Sequence, residues 1–269
     1  MKAEAAVPRP YFEALGPGFA ARVRRFLVAQ GWAGLLAGDY LEQHPERYRT
    51  EVKAVLGVTG EVRALAVHPP GVLGLLLPFP ELAGPGGRLV AEAAAGQVGG
   101  IVLIEGQLPS LTLPGFIRHV QEMAVGIELP PPRAALPAAR LADPADAGSL
   151  RRLYDEVTWM REQSEETWRE RLSQGRTWLV EQGGEAVAAC RWSRAFGGLV
   201  EVGAVATRSE FRRRGLASQV VLAAGRAAEA QGLRPVLRYR NLELVALYRP
   251  LGFEPVGREL RFERESPAQ

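Results

Sequence analysis

Cysteine is almost absent from this sequence of 269 residues, in which Cys190 is the single one. One cysteine cannot close an intrachain disulfide or supply a multi-cysteine metal site. A small domain held together by disulfides or by such a metal site is therefore excluded. We therefore expect a protein of a reducing compartment such as the cytosol. Lysine is nearly absent as well, since Lys2 and Lys53 are the only lysines among 33 basic residues.

Long apolar runs are missing too. No window approaches the roughly 18 apolar residues of a membrane-spanning helix, and the first residues lack the apolar stretch of a signal peptide. The net charge of +3 is small for this length, which argues against a polycationic nucleic-acid binder. We expect a cytoplasmic protein that binds neither membranes nor nucleic acid.

Histidine is scarce and scattered. His44, His68 and His119 are the three histidines, and no two of them have the i, i+4 spacing that places two metal ligands on one helix face. Two of them lie beside or near proline in expected loops. We expect no metal site.

A proline-rich stretch divides the chain. The segment "LPPPRAALPAAR" begins at Leu129, and its three consecutive prolines forbid a regular helix and favour an extended spacer. The sequence predicts an N-terminal α/β lobe over residues 1–128, a linker over 129–138 and a second domain over 139–269. Each of the two domains is long enough to bury a core of its own. In the lobe, "GFAARVRRFLVAQ" and "GGRLVAEAAAGQ" are predicted helices, and "GGIVLIEG" is a predicted strand.

The second domain has clearer sequence signals for the ends of helices and for turns. The patterns predict a helix from about Ser149 to Met160 and another that begins at the N-cap Ser164 and ends at Gly175. Three strands follow, and the glycine pairs between them, at 183–184 and 197–198, favour tight hairpins.

The stretch "ATRSEFRRRGLASQV", residues 206–220, joins the last of these strands to a predicted helix from Gly215 to about Gln231. The first turn of a helix presents free backbone N–H groups and the positive end of the helix dipole, and glycine lets a phosphate approach closely. Arg212 and Arg214 add positive charge. The Walker and dinucleotide-binding glycine patterns are absent, so the expected ligand is another phosphorylated cofactor.

Two motifs together carry a family resemblance. Residues 212–217 read R-x-x-G-x-A after a strand, and "RPVLRYRNLELVALYRPLGFEPVG" contains Asn241, Tyr248 and the Leu251, Gly252, Phe253 run at matching spacings. The chain from about 138 to 265 resembles the GNAT N-acetyltransferase family, and the whole resembles two-lobed bacterial members with a degenerate GNAT-like first lobe. The resemblance implies an α/β (α+β) fold with a mixed, mostly antiparallel sheet flanked by helices.

The resemblance also implies a site for acetyl-CoA as co-substrate, with no metal. The strand before the phosphate helix splays from its neighbour, and its backbone meets the acyl group and the pantetheine arm. Asn241 would contact that arm, although an asparagine there is an equally good N-cap. The cofactor-binding residues implied are Val205, Ala206, Thr207, Arg212, Arg213, Arg214, Gly215, Leu216, Ala217, Asn241 and Tyr248.

Two residues are catalytic candidates by the same resemblance. Tyr248 would protonate the departing thiolate, and it lies seven residues, or two helical turns, after Asn241. Glu201 would take a proton from the amine, and strand alternation predicts that it shares a face with Val205. The alternatives are a packed Tyr248 and a salt-bridged Glu201. Cys190 is expected to be a small buried residue.

The function implied is direct transfer of an acetyl group from acetyl-CoA to a primary amine, in a ternary complex. A non-catalytic acyl-CoA sensor is the alternative. The acceptor is a small molecule or a protein, and a homodimer is compatible with the pattern. Glu162, Glu165 and Glu166 in "WMREQSEETW" would attract a cationic acceptor, unless they form a solvated acidic face.

Overall fold

The computed structural model describes residues 18–49, 52–56, 60–67, 76–77, 100–104, 114–157 and 163–264. The chain forms two compact units, one of residues 1–123 with 257–269, and one of residues 124–256. The proline-rich segment 129–138 lies within the second unit. The domain limits at 128 and 139 therefore stay a sequence-based prediction.

The first unit opens with two helices, α1 (Phe19–Ala29) and α2 (Leu35–Gln43). The first confirms the helix predicted from its sequence pattern. Its buried residues are spaced four apart, so they form one apolar stripe on the helix; they are Phe19, Val23 and Leu27.

Short strands follow these helices in the first unit. β1 (Val52–Leu56) pairs antiparallel with β2 (Val62–Val67), and β3 (Leu76–Leu77) lies parallel to β4 (Gly100–Ile104), which confirms the predicted strand there. The predicted helix "GGRLVAEAAAGQ" and His68 fall outside the described residues.

The second unit is built on one mixed sheet. Its strands are β5 (Phe116–Gly126, by its last residues), β6 (Arg140–Leu141), β7 (Thr177–Gln182), β8 (Glu185–Phe196), β9 (Leu199–Thr207), β10 (Arg234–Tyr239) and β11 (Phe253–Arg264, by its first residues). They lie in the order β11, β5, β10, β9, β8, β7, β6. The pairs β6–β7, β7–β8 and β8–β9 are antiparallel, whereas β9 and β10 are parallel. The predicted mixed, mostly antiparallel sheet is confirmed.

Helices cover both faces of this sheet. They are α3 (Ala147–Tyr154), α4 (Glu165–Ser173), α5 (Leu216–Ala230) and the single turn α6 (Val245–Tyr248). One core cluster packs the sheet against α5, and a second packs its opposite face against α3 and α4. The helix α3 ends before the predicted Met160, because Val157 closes a tighter turn by donating its N–H to the carbonyl of Tyr154.

The local signals for turns and caps are confirmed. Gly183, Gly184, Gly197 and Gly198 all have φ between 60 and 80°, the conformation that two-residue hairpins need and that glycine adopts without strain. The Ser164 hydroxyl accepts from the N–H of Thr167 and so caps α4.

Candidate functional site

The strands β9 and β10 separate part-way along their length. Their parallel ladder begins at the pair Leu199 and Arg234 and ends at the pair Val202 and Leu237. β9 continues to Thr207 and β10 to Tyr239. The carboxyl ends of the two strands are therefore not paired with each other, as the resemblance predicts, and the gap between them is called the cleft.

A bulge in β9 lies where this cleft begins, two residues after the last ladder pair. Ala204 has φ of 50°, a left-handed conformation that costs an alanine roughly 1 kcal/mol. The register to β8 shifts at the same point, between the pairs Gly203–Arg191 and Ala206–Ala189. The bulge re-aims the backbone of the residues that follow it.

The bulge overturns one prediction. Before it, Val202 packs in the core on the α5 side; after it, Val205 packs there too, while Ala206 packs in the core on the other side. Strict alternation is thus broken between Val202 and Val205. The prediction that Glu201 and Val205 share a face is wrong, because the extra residue reverses the facing of everything beyond it.

A tyrosine from α3 holds the bulge. The hydroxyl of Tyr154 donates to the carbonyl oxygen of Ala204 at 2.5 Å. Its ring is 1% exposed and stacks on Trp168, with the centroids 4.7 Å apart and the planes 13° apart. Burial, above all, raises the pKa of Tyr154, so the hydroxyl stays protonated and remains a donor.

The loop from β9 to α5 has the backbone of an anion site. Arg213 and Gly215 have φ of 63 and 78°, and turns of this kind aim neighbouring N–H groups into one concavity. No side chain caps α5, which leaves its N-terminal donors available. The guanidinium of Arg212 donates to the carbonyl of Thr207, and that of Arg214 donates to the carbonyl of Glu210.

The proline-rich segment packs against this loop. A methyl group of Leu136 would lie 2.9 Å from a Cβ atom placed on Gly215. One turn into α5, the buried Gln219 accepts from the N–H of Arg133 at 2.8 Å and donates to the carbonyls of Arg133 and Pro137 at 3.0 and 3.2 Å. The side-chain amide of Gln219 therefore fixes the segment beside the first turn of α5.

Asn241 caps a helix. Its side-chain oxygen accepts from the N–H of Glu243, at the start of a 3₁₀ turn over Leu242–Leu244 that precedes α6. The argument that Asn241 and Tyr248 lie two α-helical turns apart on one face does not hold, because the segment is a 3₁₀ turn followed by a single α-turn. Its contact with pantetheine stays a prediction.

Tyr248 lies in the sheet's core on the α5 side and is 5% exposed. Its ring centroid is 5.3 Å from that of Tyr239 and 6.4 Å from that of Phe253. Burial raises the pKa of Tyr248 to about 12, with smaller contributions from Cys190 and Tyr239. The hydroxyl is therefore protonated at neutral pH, as a proton donor must be.

Glu201 is held between two arginines. Its carboxylate lies 2.7 Å from the guanidinium of Arg194 and 3.5 Å from that of Arg238. Burial alone would raise the pKa of Glu201, but the charges of Arg238 and Arg194 and the hydrogen bond from Arg194 outweigh it and leave the pKa below its ordinary value. This is the salt-bridged arrangement that the sequence left open.

Cys190 and the two described histidines have structural contacts. Cys190 is buried, as predicted, and its thiol donates to the carbonyl of Val220; burial raises its pKa. His119 lies 3.4 Å from the carboxylate of Glu263, and His44 packs against the ring of Tyr40. Within the described ranges, no group of three or more metal-ligating side chains occurs and no helix is long and apolar enough to cross a membrane.

Sequence reasoning missed three residues of the site. A glycine inside a strand often marks a bulge, so Gly203 was an available signal for the bulge at Ala204. No sequence signal indicated a role in the site for Tyr154 or for Gln219. Their partners lie 50 and more than 80 residues away in sequence, and no local pattern reports such contacts.

Comparisons with known proteins give a sequence-family match and several similar folds. Residues 146–253 match the family described as "Acetyltransferase (GNAT) family". A GCN5-related N-acetyltransferase from Sphaerobacter thermophilus superposes with a TM-score of 0.65 at 19% identity, over 96% of this chain and 96% of that one. No curated protein matches the sequence at a significant level.

Two further solved structures share the fold. A GCN5-related N-acetyltransferase from Kribbella flavida has a TM-score of 0.59 at 19% identity, over 91% of this chain and 96% of that one. A GNAT-family acetyltransferase from Colwellia psychrerythraea has a TM-score of 0.55 at 14% identity, over 89% and 97%. Identities this low show the fold alone. The match over residues 146–253 adds the family, and this part of the chain is an acetyltransferase domain of the GNAT family.

Proposed function

We propose that the protein transfers an acetyl group from acetyl-CoA directly to a primary amine. One observation carries the proposal: β9 and β10 stop pairing after Val202 and Leu237, and β9 then continues through the bulge at Ala204 toward the uncapped N-terminus of α5. A thioester between the two strands and a pyrophosphate at the helix fit the two ends of this cleft. Acetyl-CoA supplies an acetyl group already activated as a thioester.

The N-terminus of α5 fits the pyrophosphate of CoA, an extended group with two negative charges. The N–H groups of residues 213–217 and the α5 dipole favour negative charge, and no side chain competes for them as a cap. Arg212, Arg213 and Arg214 add charge around the loop. The segment fixed by Gln219 forms the adjacent wall, through Leu136.

The carboxyl end of β9 supplies the backbone groups that polarise the acetyl carbonyl. Beyond Val202, β9 no longer pairs with β10, so the backbone N–H groups near Val205 are the proposed donors to the acetyl carbonyl, with Ala206 and Thr207 next along the strand. Fixed donors aimed at a developing oxyanion stabilise the transition state without reorganisation. Asn241 follows β10 in the chain, and in this proposal its side chain contacts the pantetheine arm.

Two side chains handle protons and charge. Tyr248 donates its proton to the leaving thiolate, which suits a hydroxyl whose pKa is raised to about 12. Glu201 holds Arg194 and Arg238 in place, and a carboxylate paired with two guanidiniums is a weak base. The amine therefore enters deprotonated from solvent.

The test is thermal unfolding with and without excess acetyl-CoA, in the wild type and in Ala217→Glu. Saturation at about a hundredfold the Kd adds about 2.7 kcal/mol to the stability of the native state, a shift of several degrees. A glutamate in the first turn of α5 suits the helix dipole but repels the pyrophosphate. We expect the variant to be folded, at least as stable as the wild type, and unresponsive to acetyl-CoA.

The matched control is Ala217→Gln, which has the same bulk without the charge and is expected to keep part of the shift. Gly215 is a poorer choice for the test, because its φ of 78° and the proximity of Leu136 would strain any side chain. A wild type that does not respond to saturating acetyl-CoA would contradict the proposal.

A further inference from the structure

The side chain of Arg191 lies on the face of the sheet opposite α5. Its neighbours in β8 both bond to α5, Cys190 through its thiol to Val220 and Trp192 through its indole N–H to the carbonyl of Ala224. Because side chains alternate along a strand, Arg191 faces the opposite side of the sheet. That side is the one covered by α3 and α4, where Ala189 packs.

Arg191 is half-buried, and no carboxylate of the described residues pairs with its guanidinium. Its one hydrogen bond among the residues that the structure describes is a weak contact with the carbonyl of Trp192, at 3.4 Å. Burial, and then the nearby charges of Arg171, Arg176 and Arg194, lower the pKa of Arg191. Half-burying a cation among like charges is unfavourable unless an anion completes the arrangement.

Arg171 belongs to the same group. Its guanidinium lies over the ring of Trp168, 5.4 Å from the centroid. The partner acid of this region, Glu201, is already shared by Arg194 and Arg238. Among the described residues, neither Arg171 nor Arg191 forms an ion pair with a carboxylate.

Two buried polar atoms on this face also find no hydrogen-bond partner in the described part of the chain. They are the indole N–H of Trp168 and the hydroxyl of Thr177, each on a residue no more than 1% exposed. Thr177 is the residue directly opposite Arg191 in the ladder between β7 and β8, so the two side chains are neighbours on one face. Both atoms can donate hydrogen bonds, as an anion or its bridging water would require.

This group lies beside the bulge. Arg191 is the ladder partner of Gly203, which immediately precedes Ala204, and Trp168 stacks on the tyrosine that holds the Ala204 carbonyl. An acceptor that reaches the thioester from this face would pass the guanidinium of Arg191.

We propose that Arg191, with Arg171 and Thr177, binds an anionic group of the acceptor, a carboxylate or a phosphate, so that the substrate is an amine that carries an acid. This rests on the proposed function for the location of the thioester. It also replaces the cationic acceptor considered from "WMREQSEETW": Glu165 and Glu166 both pair with Arg169 on their own helix, and Glu162 lies outside the described residues.

The experiment uses protein saturated with acetyl-CoA, so that the α5 site is filled, and measures thermal unfolding with inorganic phosphate, with malonate, or with sodium chloride at the same ionic strength. We expect phosphate or malonate to raise the melting temperature of the wild type by about 5 °C at a hundredfold the Kd. A response to phosphate alone indicates a phosphorylated acceptor, and a response to malonate alone indicates a carboxylate.

Arg191→Gln is expected to lose this rise. Its melting temperature without the probe should equal or exceed that of the wild type, because a half-buried charge among like charges is gone. Arg191→Lys, which keeps the charge but loses the forked geometry, should keep part of the rise. Arg234→Gln, an exposed arginine at the start of β10, is the control that should respond like the wild type.

The outcomes separate the two proposals. No rise in the wild type with either anion, or an undiminished rise in Arg191→Gln, would overturn the anion site. A lower melting temperature of Arg191→Gln without the probe, together with an unchanged response, would assign Arg191 a structural role. Failure of acetyl-CoA to stabilise the wild type overturns the proposed function instead, and the anion arm then still decides whether Arg191 binds an anion.

Discussion

The hydroxyl of Tyr154 lies 2.5 Å from the carbonyl oxygen of Ala204, and this contact joins α3 to the strained residue of β9. An alanine with φ of 50° persists only where its surroundings hold it. The hydrogen bond and the stack of Tyr154 on Trp168 supply that restraint. Tyr154 is therefore a positioning residue for the backbone that we propose to polarise the thioester.

Tyr154→Phe should keep the fold and the ring stack but release the bulge. The partly buried carbonyl of Ala204 loses its donor, which costs about 1 kcal/mol of stability. The carbonyl stretch of bound ¹³C-labelled acetyl-CoA, measured by difference infrared spectroscopy, is expected at lower frequency than in free acetyl-CoA for the wild type. In the variant it should return toward the free value, because the backbone donors are no longer aimed at the carbonyl.

The control for this prediction is Ser149→Ala. The Ser149 hydroxyl also ties α3 to the sheet, since it accepts from the N–H of Ala186 at 2.6 Å, but it does not touch the bulge. A similar loss of stability with an unchanged carbonyl frequency is expected. If both variants shift the frequency equally, Tyr154 acts only through general stability.

Tyr248→Phe should lower turnover about 10²- to 10⁴-fold, the usual contribution of a general acid. Binding of acetyl-CoA, measured by calorimetry, should change little, because the ring remains. Since burial raises the pKa of Tyr248 to about 12, the rate for an amine acceptor should show no falling limb from this group below about pH 11. A variant with full turnover would leave Tyr248 as a packing residue.

Glu201→Gln should destabilise the fold by about 3 kcal/mol or more at pH 7, because the buried arrangement loses the charge that Arg194 and Arg238 share. The folded-state pKa of Glu201 is lowered, so its contribution is complete above the ordinary value of 4.5 and is lost as the pH falls through the folded-state pKa. Chemical denaturation of wild type and variant between pH 3 and 7 measures the difference. A difference that does not shrink at low pH would contradict this account.

Gln219→Ala should free the proline-rich segment. The substitution removes three hydrogen bonds to Arg133 and Pro137, each with a net value of about 1 kcal/mol. Faster hydrogen exchange over residues 133–137 and a lower melting temperature are expected. Gln219→Glu should be worse than a simple loss of donors, because a carboxylate would face two backbone carbonyls. Exchange confined to the rest of α5 would contradict the role of Gln219 as a tether.

Local sequence was sufficient for the features that depend on neighbouring residues. The glycine pairs 183–184 and 197–198 specify their turns through positive φ, Ser164 caps its helix, and the small residues after Arg214 begin α5 where predicted. In each case the energy that selects the structure arises within a few residues, so the pattern is visible in the sequence.

Tertiary structure alone decided the chemistry at the bulge. Alternation placed Glu201 and Val205 on one face, but the conformation of Ala204 reversed the facing, and the tyrosine that holds it comes from 50 residues earlier. The surroundings of Arg191 in the described residues depend likewise on which side chains β7, β8, β9, α3 and α4 bring together on one sheet face. Contacts of this range depend on packing and register, which no window of sequence contains.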